Sequence, residues 1–350
     1  MVKPVRIGER IVGPGFPCLV IAEAGVNHNG SLDRALRLVE IAAKAGADIV
    51  KFQTFKSEEV ISPVAPKADY QIQTTGDSES QLEMVKKLEL PPEAFQAIAR
   101  HCRECGIVFL STPFDNDSAD LLQGLGVVAF KVSSGELTNL PFLTYLAQKE
   151  KPLILSTGMA NLAEVTTAVE CVRATGNNEL VVLHCVSNYP AAPSSVNLRA
   201  MKTLEDVLGT PVGYSDHSEW LAIPVGAAAL GACVIEKHFT LDRGLPGPDH
   251  RASLEPAELA AMVRGIRDVQ AALGDGLKRP APEELNTAAV ARRSLVAACD
   301  LNAEMILTGA MVAIRRPGTG LPPSALSQVI GRRLKQDVVA GDLFTLEMLA

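Results

Sequence analysis

The sequence predicts an α/β fold, a (β/α)8 TIM barrel followed by a small β-rich domain, and three observations carry that expectation. Short runs rich in Val, Ile and Leu alternate eight times with longer stretches of helical period, with Gly, Asn, Asp or Ser at the joins. The runs are apolar almost throughout, as parallel strands covered on both faces must be. After Gly276 the alternation stops. A doubly wound open sheet fits less well, because no glycine-rich phosphate loop of nucleotide-binding spacing follows the first run.

Taken in order, strands are expected at Cys18–Ala24, Ala47–Phe55, Ile107–Pro113, Val127–Ser134, Pro152–Thr157, Glu179–Val186, Pro211–Asp216 and Cys233–Thr240. Helices follow them in stretches such as SLDRALRLVEIAAKAG, NLAEVTTAVECVRATG and EPAELAAMVRGIRDVQAALG. Residues Lys56–Leu90 break the rhythm and are expected to form a long loop with a short helix over the barrel mouth. The domains are therefore set at 1–276 for the barrel, 277–290 for a Pro-containing linker and 291–350 for the β-rich module. Within that module Asp300–Thr308 echoes Asp337–Thr345, which predicts two related turns pinned by Asp and Thr.

Composition bounds the function. The chain of 350 residues is 47% apolar and 21% charged, with a formal charge of −7, the profile of an ordinary globular protein. No Lys/Arg run exceeds a pair, which argues against nucleic acid and for small-molecule partners. Seven cysteines in no framework spacing point to a reducing, cytoplasmic setting. The first twenty residues lack a signal-like apolar stretch, and the longest apolar run, Leu221–Ile235, falls short of the ~20 residues of a membrane span.

In a barrel, reactive groups gather at the C-terminal ends of the strands. Here those ends carry Glu23, Lys51 with Gln53, Ser111 with Thr112, Lys131 with Ser133 and Ser134, and Ser156 with Thr157. The last three carry His184 with Ser187, Ser215-Asp216-His217, and Glu236-Lys237-His238. Ser111 and Thr157 read individually as helix caps. Lys51 and Lys131 lie within otherwise buried strands, where an ammonium must find an anion or lose its proton. Either could be a structural ion pair with Glu23 or Glu136, or a Schiff-base amine. With hydroxyls around both, a dianionic phosphate or phospho-carboxylate is the favoured partner. His217 and His238 end adjacent strands, so their imidazoles can converge on one cation that acts as a Lewis acid. Pro246-Gly-Pro-Asp249-His250 forms a stiff turn able to hold Asp249 over the mouth. Cys102-Arg-Glu-Cys105 ends a helix, has no second pair and is read as structural, while Arg292-Arg293 and Arg332-Arg333 are read as solvated faces.

In order along the chain, IAEAGVNHNGS, KFQTF, STPFD, KVSSGE, LSTGMA, LHCVSNYP, GYSDHS, EKHFT and PGPDH resemble the motifs of bacterial sialic acid synthases. IRRPGTG and the two Asp…Thr segments are similar to that family's antifreeze-like SAF (β-clip) domain. The resemblance implies a metal-dependent barrel that condenses phosphoenolpyruvate with an N-acetylated hexosamine to a nine-carbon 2-keto acid and phosphate. It implies Lys51, Thr112, Lys131, Ser134, Ser156 and Ser215 as the phosphoenolpyruvate site. His217 and His238 would be ligands of Mn2+, with Mg2+ or Co2+ as alternatives, and Glu23 the acid/base. Gln53, Glu136, Tyr189 and Asp249 would hold the sugar, with Arg316 reaching in from the SAF domain of a partner chain in a domain-swapped homodimer.

N-acetylmannosamine, giving N-acetylneuraminate, is the first substrate implied. A 6-deoxy diacetamido sugar, giving N,N'-diacetyllegionaminate, is the alternative. Two departures bear on the choice: Ser187 stands where sialic acid synthases often have Asn, with Asn188 next to the Tyr, and the loop ADYQIQTTGDSESQLEM is closer to legionaminic acid synthases. A Schiff-base aldolase and a non-catalytic sugar-binding protein are the remaining readings.

Overall fold

The computed structural model describes residues 2–350. It begins with an antiparallel hairpin, β1 (Val5–Ile7) and β2 (Arg10–Val12), which the sequence reading did not anticipate. Three-residue strands are too short to show a period. Their apolar side chains Val5, Ile7 and Val12 pack against Leu19, Ile21, Val181 and Val234, which point inward at the starts of the parallel strands. The hairpin thereby closes the floor of the barrel.

Eight parallel strands follow: β3 (Leu19–Gly25), β4 (Ile49–Thr54), β5 (Val108–Pro113), β6 (Phe130–Val132), β7 (Leu153–Ser156), β8 (Leu180–Cys185), β9 (Val212–Asp216) and β10 (Val234–His238). Ladders run β5-β4-β3-β10-β9-β8-β7-β6, and β6 approaches β5 to complete the ring. Every expected run is a strand, with its ends shifted by up to three residues; the first is displaced to Leu19–Gly25 and the others are trimmed. The largest trim is at Val127–Ser134, which reduces to Phe130–Val132 because Gly126 turns at φ 77° and Ser134–Glu136 coils into a 3-10 turn. Alternation explains the unbroken apolarity. Val20, Ala22, Val50 and Phe52 face the helices, while Leu19, Ile21, Ile49 and Leu110 fill the interior.

Between β4 and β5, Lys56–Leu90 holds three short helices, Ser57–Val60, Asp69–Thr75 and Gln81–Lys86, where a single one was expected. Helices of four to seven residues are marginal alone and leave little pattern in a sequence. Ion pairs fasten this segment: Lys86 to Glu58, Lys87 to Glu79, and Lys67 to Glu79 at 3.7 Å.

The chain divides at Gly274/Asp275 into two compact units. The segment read as a linker contains a helix, Glu284–Ala291. Its Ala, Leu and Glu residues favour helix, and Glu284 Oε2 accepts the Ala281 N–H at 2.8 Å, but Pro280 and Pro282 obscured the short period. In the second unit β11 (Ser294–Ala297) and β12 (Val312–Arg315) form one antiparallel ladder. Isolated bridges and short 3-10 turns surround a core of Leu295, Leu301, Leu307, Leu334 and Phe344. The internal echo is a reciprocal contact. Leu301 and Val338 exchange both backbone hydrogen bonds at 2.8 Å. Asp337 Oδ1 accepts Ala303 N–H at 2.7 Å and Asp300 Oδ1 accepts Ala340 N–H at 2.8 Å, so each Asp pins the other copy's turn. Thr308 and Thr345 precede 3-10 turns without a side-chain cap, which corrects the expectation that they pin them. Among the described residues no helix is long and apolar enough to cross a membrane.

Candidate active site

Strand alternation sends Glu23, Lys51, Lys131 and Glu236 to the inside of the barrel near its C-terminal mouth. All four are buried. Lys51 Nζ lies 2.6 Å from Glu23 Oε2 and 3.8 Å from Glu236 Oε2, and donates to Thr112 Oγ1 at 3.0 Å. Lys131 Nζ donates to Ser156 Oγ at 2.7 Å and stands 3.5 Å from Glu236 Oε1, which also accepts from Ser215 at 3.0 Å. Glu236 thus sits between both lysines. Burial works against its charge, but Lys131 and Lys51 together hold its pKa below the usual carboxylate value. Glu23 is paired with Lys51 alone, and burial pushes it up to about 7, with Lys51 opposing. Of the two carboxylates, Glu23 is the one able to carry a proton near neutrality. Burial lowers the pKa of Lys131, and Glu236 partly restores it.

These groups floor a cavity of about 710 Å³, within the usual size range of ligand sites. Gln53 Nε2 donates to Glu23 at 3.4 Å. Ser134 Oγ accepts the Gly158 N–H at 3.0 Å and lies 3.1 Å from Cys185 Sγ. A Cβ at Gly158 would stand 2.1 Å from Ser187 Oγ and 2.9 Å from Ser134 Oγ, so only glycine leaves this corner open. Ser187, the departure from the family motif, therefore stands beside Ser134.

At the same mouth the rings of His217 and His238 are 5.6 Å apart, and His238, paired in register with Glu23, lies beside the charged cluster. His217 Nδ1 is 2.7 Å from the Val186 carbonyl, a bond that needs the Nδ1–H tautomer and leaves Nε2 with its lone pair. Burial lowers its pKa to about 4 and pushes His238 well below the ordinary value, so both are neutral. Among the described residues His238 Nδ1 is buried without a hydrogen-bond partner. Two neutral imidazoles, one with an orphaned buried nitrogen, fit a divalent cation. Among the described residues no cluster of three or more ligating side chains exists, so solvent and substrate oxygens would have to complete the shell.

Tyr189 stacks 4.2 Å from the His217 ring, and Tyr70, carried by the helix Asp69–Thr75, packs 5.1 Å beyond it. The Asp249 carboxylate stands 3.9 Å from His238 Nδ1, and burial pushes its pKa up to about 6. Its turn is tied down by Asn29 Nδ2 to the Pro246 carbonyl at 2.6 Å and by Ser253 Oγ to the Asp249 carbonyl at 2.7 Å. Glu136 lines the cavity and accepts from Asn139 at 2.7 Å. Arg316 belongs to the second unit, where it is exposed directly after β12.

Some strand-end groups serve elsewhere. Ser111 bonds Thr54 at 2.7 Å and Thr157 donates to the Leu183 carbonyl at 3.0 Å, so neither caps a helix as expected. His184 turns away and pairs with the Val196 carbonyl at 2.7 Å. Lys237 and Asp216 face outward and form a fully buried pair at 2.7 Å. Asp216 also accepts from Tyr214 at 3.0 Å and from Ser218 N–H at 2.9 Å, which sets the strand ends that present His217 and His238. Ser133, Ser187 and Glu236 lie at strand ends and line the cavity without being among the expected site residues, and Glu236 is the charged one. The signal was present, because i and i+2 share a strand face, and His238 was already assigned inward.

The NeuB family profile matches residues 38–278 and the SAF domain profile residues 292–350. The chain is 48% identical to the N,N'-diacetyllegionaminic acid synthase of Campylobacter jejuni over 90% of its length and 95% of that protein's. It is 46% identical to the enzyme of the same name from Legionella pneumophila over 94% of each. The crystal structure of a sialic acid synthetase from Leptospira borgpetersenii with citrate superposes with a TM-score of 0.73 at 35% identity, covering 82% of this chain and 95% of that one. Matching sequence over nearly the whole length and matching fold lead to one conclusion: the chain belongs to the NeuB family and carries a SAF domain at its C-terminal end.

Proposed function

We propose that this site condenses phosphoenolpyruvate with the open-chain aldehyde of an N-acetylated hexosamine, releasing phosphate and a nine-carbon 2-keto acid. The carrying observation is the pair of buried lysines, each on a hydroxyl and both sharing Glu236, with two neutral imidazoles lining the same cavity. For the sugar, the similarity to two proteins named legionaminic acid synthases supports the 6-deoxy diacetamido hexose over N-acetylmannosamine.

Lys51 and Lys131 hold the phosphate and carboxylate charges, with Thr112, Ser134, Ser156 and Ser215 as neutral donors. Gln53, Glu136, Tyr189 and Asp249 orient the sugar so that its aldehyde carbon meets the enol carbon. A divalent cation, Mn2+ before Mg2+ or Co2+, would be held by His217 and His238 and supplies Lewis acidity at the aldehyde when bound. The new C–C bond leaves positive charge at the enol ether carbon, a charge that the ionised Glu236 would offset. Glu23 takes a proton from the water that adds there, and phosphate departs with its ester oxygen as the ketone forms. Phosphoenolpyruvate labelled with heavy oxygen at the ester position is expected to pass that label into inorganic phosphate, only when sugar is present. Label retained in the keto acid, or a borohydride-trapped adduct of pyruvate on Lys51 or Lys131, would overturn this chemistry in favour of another.

The working unit in this reading is a homodimer in the cytoplasm, for which seven free cysteines are suited. Arg316 completes the sugar site of the partner chain. His217→Ala and Arg316→Ala variants, each inactive alone, are expected to regain activity when unfolded and refolded together, since one barrel then keeps its imidazoles and receives an intact Arg316. Heterodimers that form and stay inactive exclude action in trans.

A further inference from the structure

The helix Asp69–Thr75 borders the cavity with Asp69, Tyr70 and Gln71, yet little in the fold holds it there. It buries no residue, and a helix of seven residues is marginal by itself. Its side-chain hydrogen bonds stay local. Among the described residues they run to its own carbonyls, to Lys67 and Ala68 before it, and to Gln81 and Met84 after it, and none reaches the barrel. The neighbouring short helices differ, since Ser57–Val60 buries Ser57 and Gln81–Lys86 buries Met84. Towards the barrel stands an aromatic row instead. The Tyr70 ring lies 5.1 Å from that of Tyr189, which lies 4.2 Å from His217 and, edge-on, 5.7 Å from His238. Tyr189 thus packs on Tyr70 and on both imidazoles, at separations where aromatic pairs attract.

We propose that Tyr70 is a positioning residue and its helix a lid: the helix loosens to admit substrates, and when it re-forms Tyr70 packs on Tyr189 and fixes that ring against the imidazoles. The inference rests on the proposed condensation, in which Tyr189 orients the sugar. An element with few buried contacts opens at low cost, as a lid must, and the stack on Tyr189 favours its closed form. Tyr70 acts here through the face of its ring, so its hydroxyl is dispensable. Lys67 reports the closed form, because its Nζ bonds Thr75 Oγ1 at 3.2 Å and the Gly76 carbonyl at 3.0 Å, contacts that loosening of the helix breaks.

The test compares Tyr70→Ala and Tyr70→Phe with the intact protein. In phosphate release with the 6-deoxy diacetamido hexose, Tyr70→Ala is expected to raise KM for the sugar by ~10-fold, the upper end of what one aromatic pair contributes, and to leave KM for phosphoenolpyruvate within ~2-fold. Tyr70→Phe keeps the ring and should keep both constants. Tryptic cleavage after Lys67 reads closure without turnover. Phosphoenolpyruvate with the alditol of that sugar, which has no aldehyde to attack, should slow cleavage by ~10-fold in the intact protein and in Tyr70→Phe, and hardly at all in Tyr70→Ala. Tyr70→Phe losing as much as Tyr70→Ala, both KM values rising alike in Tyr70→Ala, or equal protection of all three proteins overturns the positioning role. An intact protein that releases no phosphate overturns the condensation, and the cleavage comparison still decides the lid, which fails if Tyr70→Ala is cut no differently from the others.

Discussion

Lys131→Met is expected to cut kcat/KM for phosphoenolpyruvate by on the order of 10²–10³, with KM for the sugar changed far less. Truncating one partner of a buried, hydrogen-bonded charge costs ~2–5 kcal/mol, and here the lost charge is one of the two proposed to hold the phospho-carboxylate. Lys51→Met should behave alike. Folding is a separate matter, because Lys131→Met leaves Glu236 with Lys51 at 3.8 Å as its only cation and raises its pKa. A buried carboxylate deprived of its partner destabilises by ~3–5 kcal/mol. The double variant Lys131→Met/Glu236→Gln removes the unpaired charge, so it should recover much of the lost Tm and none of the activity. Equal effects of the lysine variants on both substrates, or activity restored with the Tm, would rule out the anion-binding role.

His217→Ala and His238→Ala are expected to lose activity by ~10³ or more, and exhaustive chelation of the unmodified protein to do the same, reversed by Mn2+. Each variant should also lose tight Mn2+ binding by calorimetry, a readout independent of turnover. Stability should change little for His238, whose Nδ1 has no partner to lose. For His217 the loss of the bond to the Val186 carbonyl costs ~0.5–1.5 kcal/mol. Full activity after chelation, or Mn2+ affinity unaltered in both variants, would remove these imidazoles from any metal role.

The two unexpected pairings have one origin. Asp216-His217 and Glu236-Lys237-His238 each place neighbouring polar residues on opposite faces of a strand, so reading them as one mouth-facing set overcounted the site. Lys237 and Asp216 satisfy each other outside the barrel at 2.7 Å, while Glu236 joins the lysines within. Likewise His184 is polar, at a strand end and in a family motif, yet its ring reaches the Val196 carbonyl.

By itself the sequence determined the order of eight strands, because apolar runs buried on both faces can only be parallel strands under helices, and the strand ends where Lys51, Lys131, His217 and His238 would meet. It also carried the family motifs. Only the tertiary structure decided which anions each lysine faces, that Glu236 is their shared partner, and that Asp300 and Asp337 pin each other's turns. It alone showed that Tyr70 packs on Tyr189. Periodicity is a local property that a single segment displays. Pairing, burial of charge and the lining of a cavity depend on residues far apart in the chain, such as Lys131 and Glu236, whose approach no local pattern records.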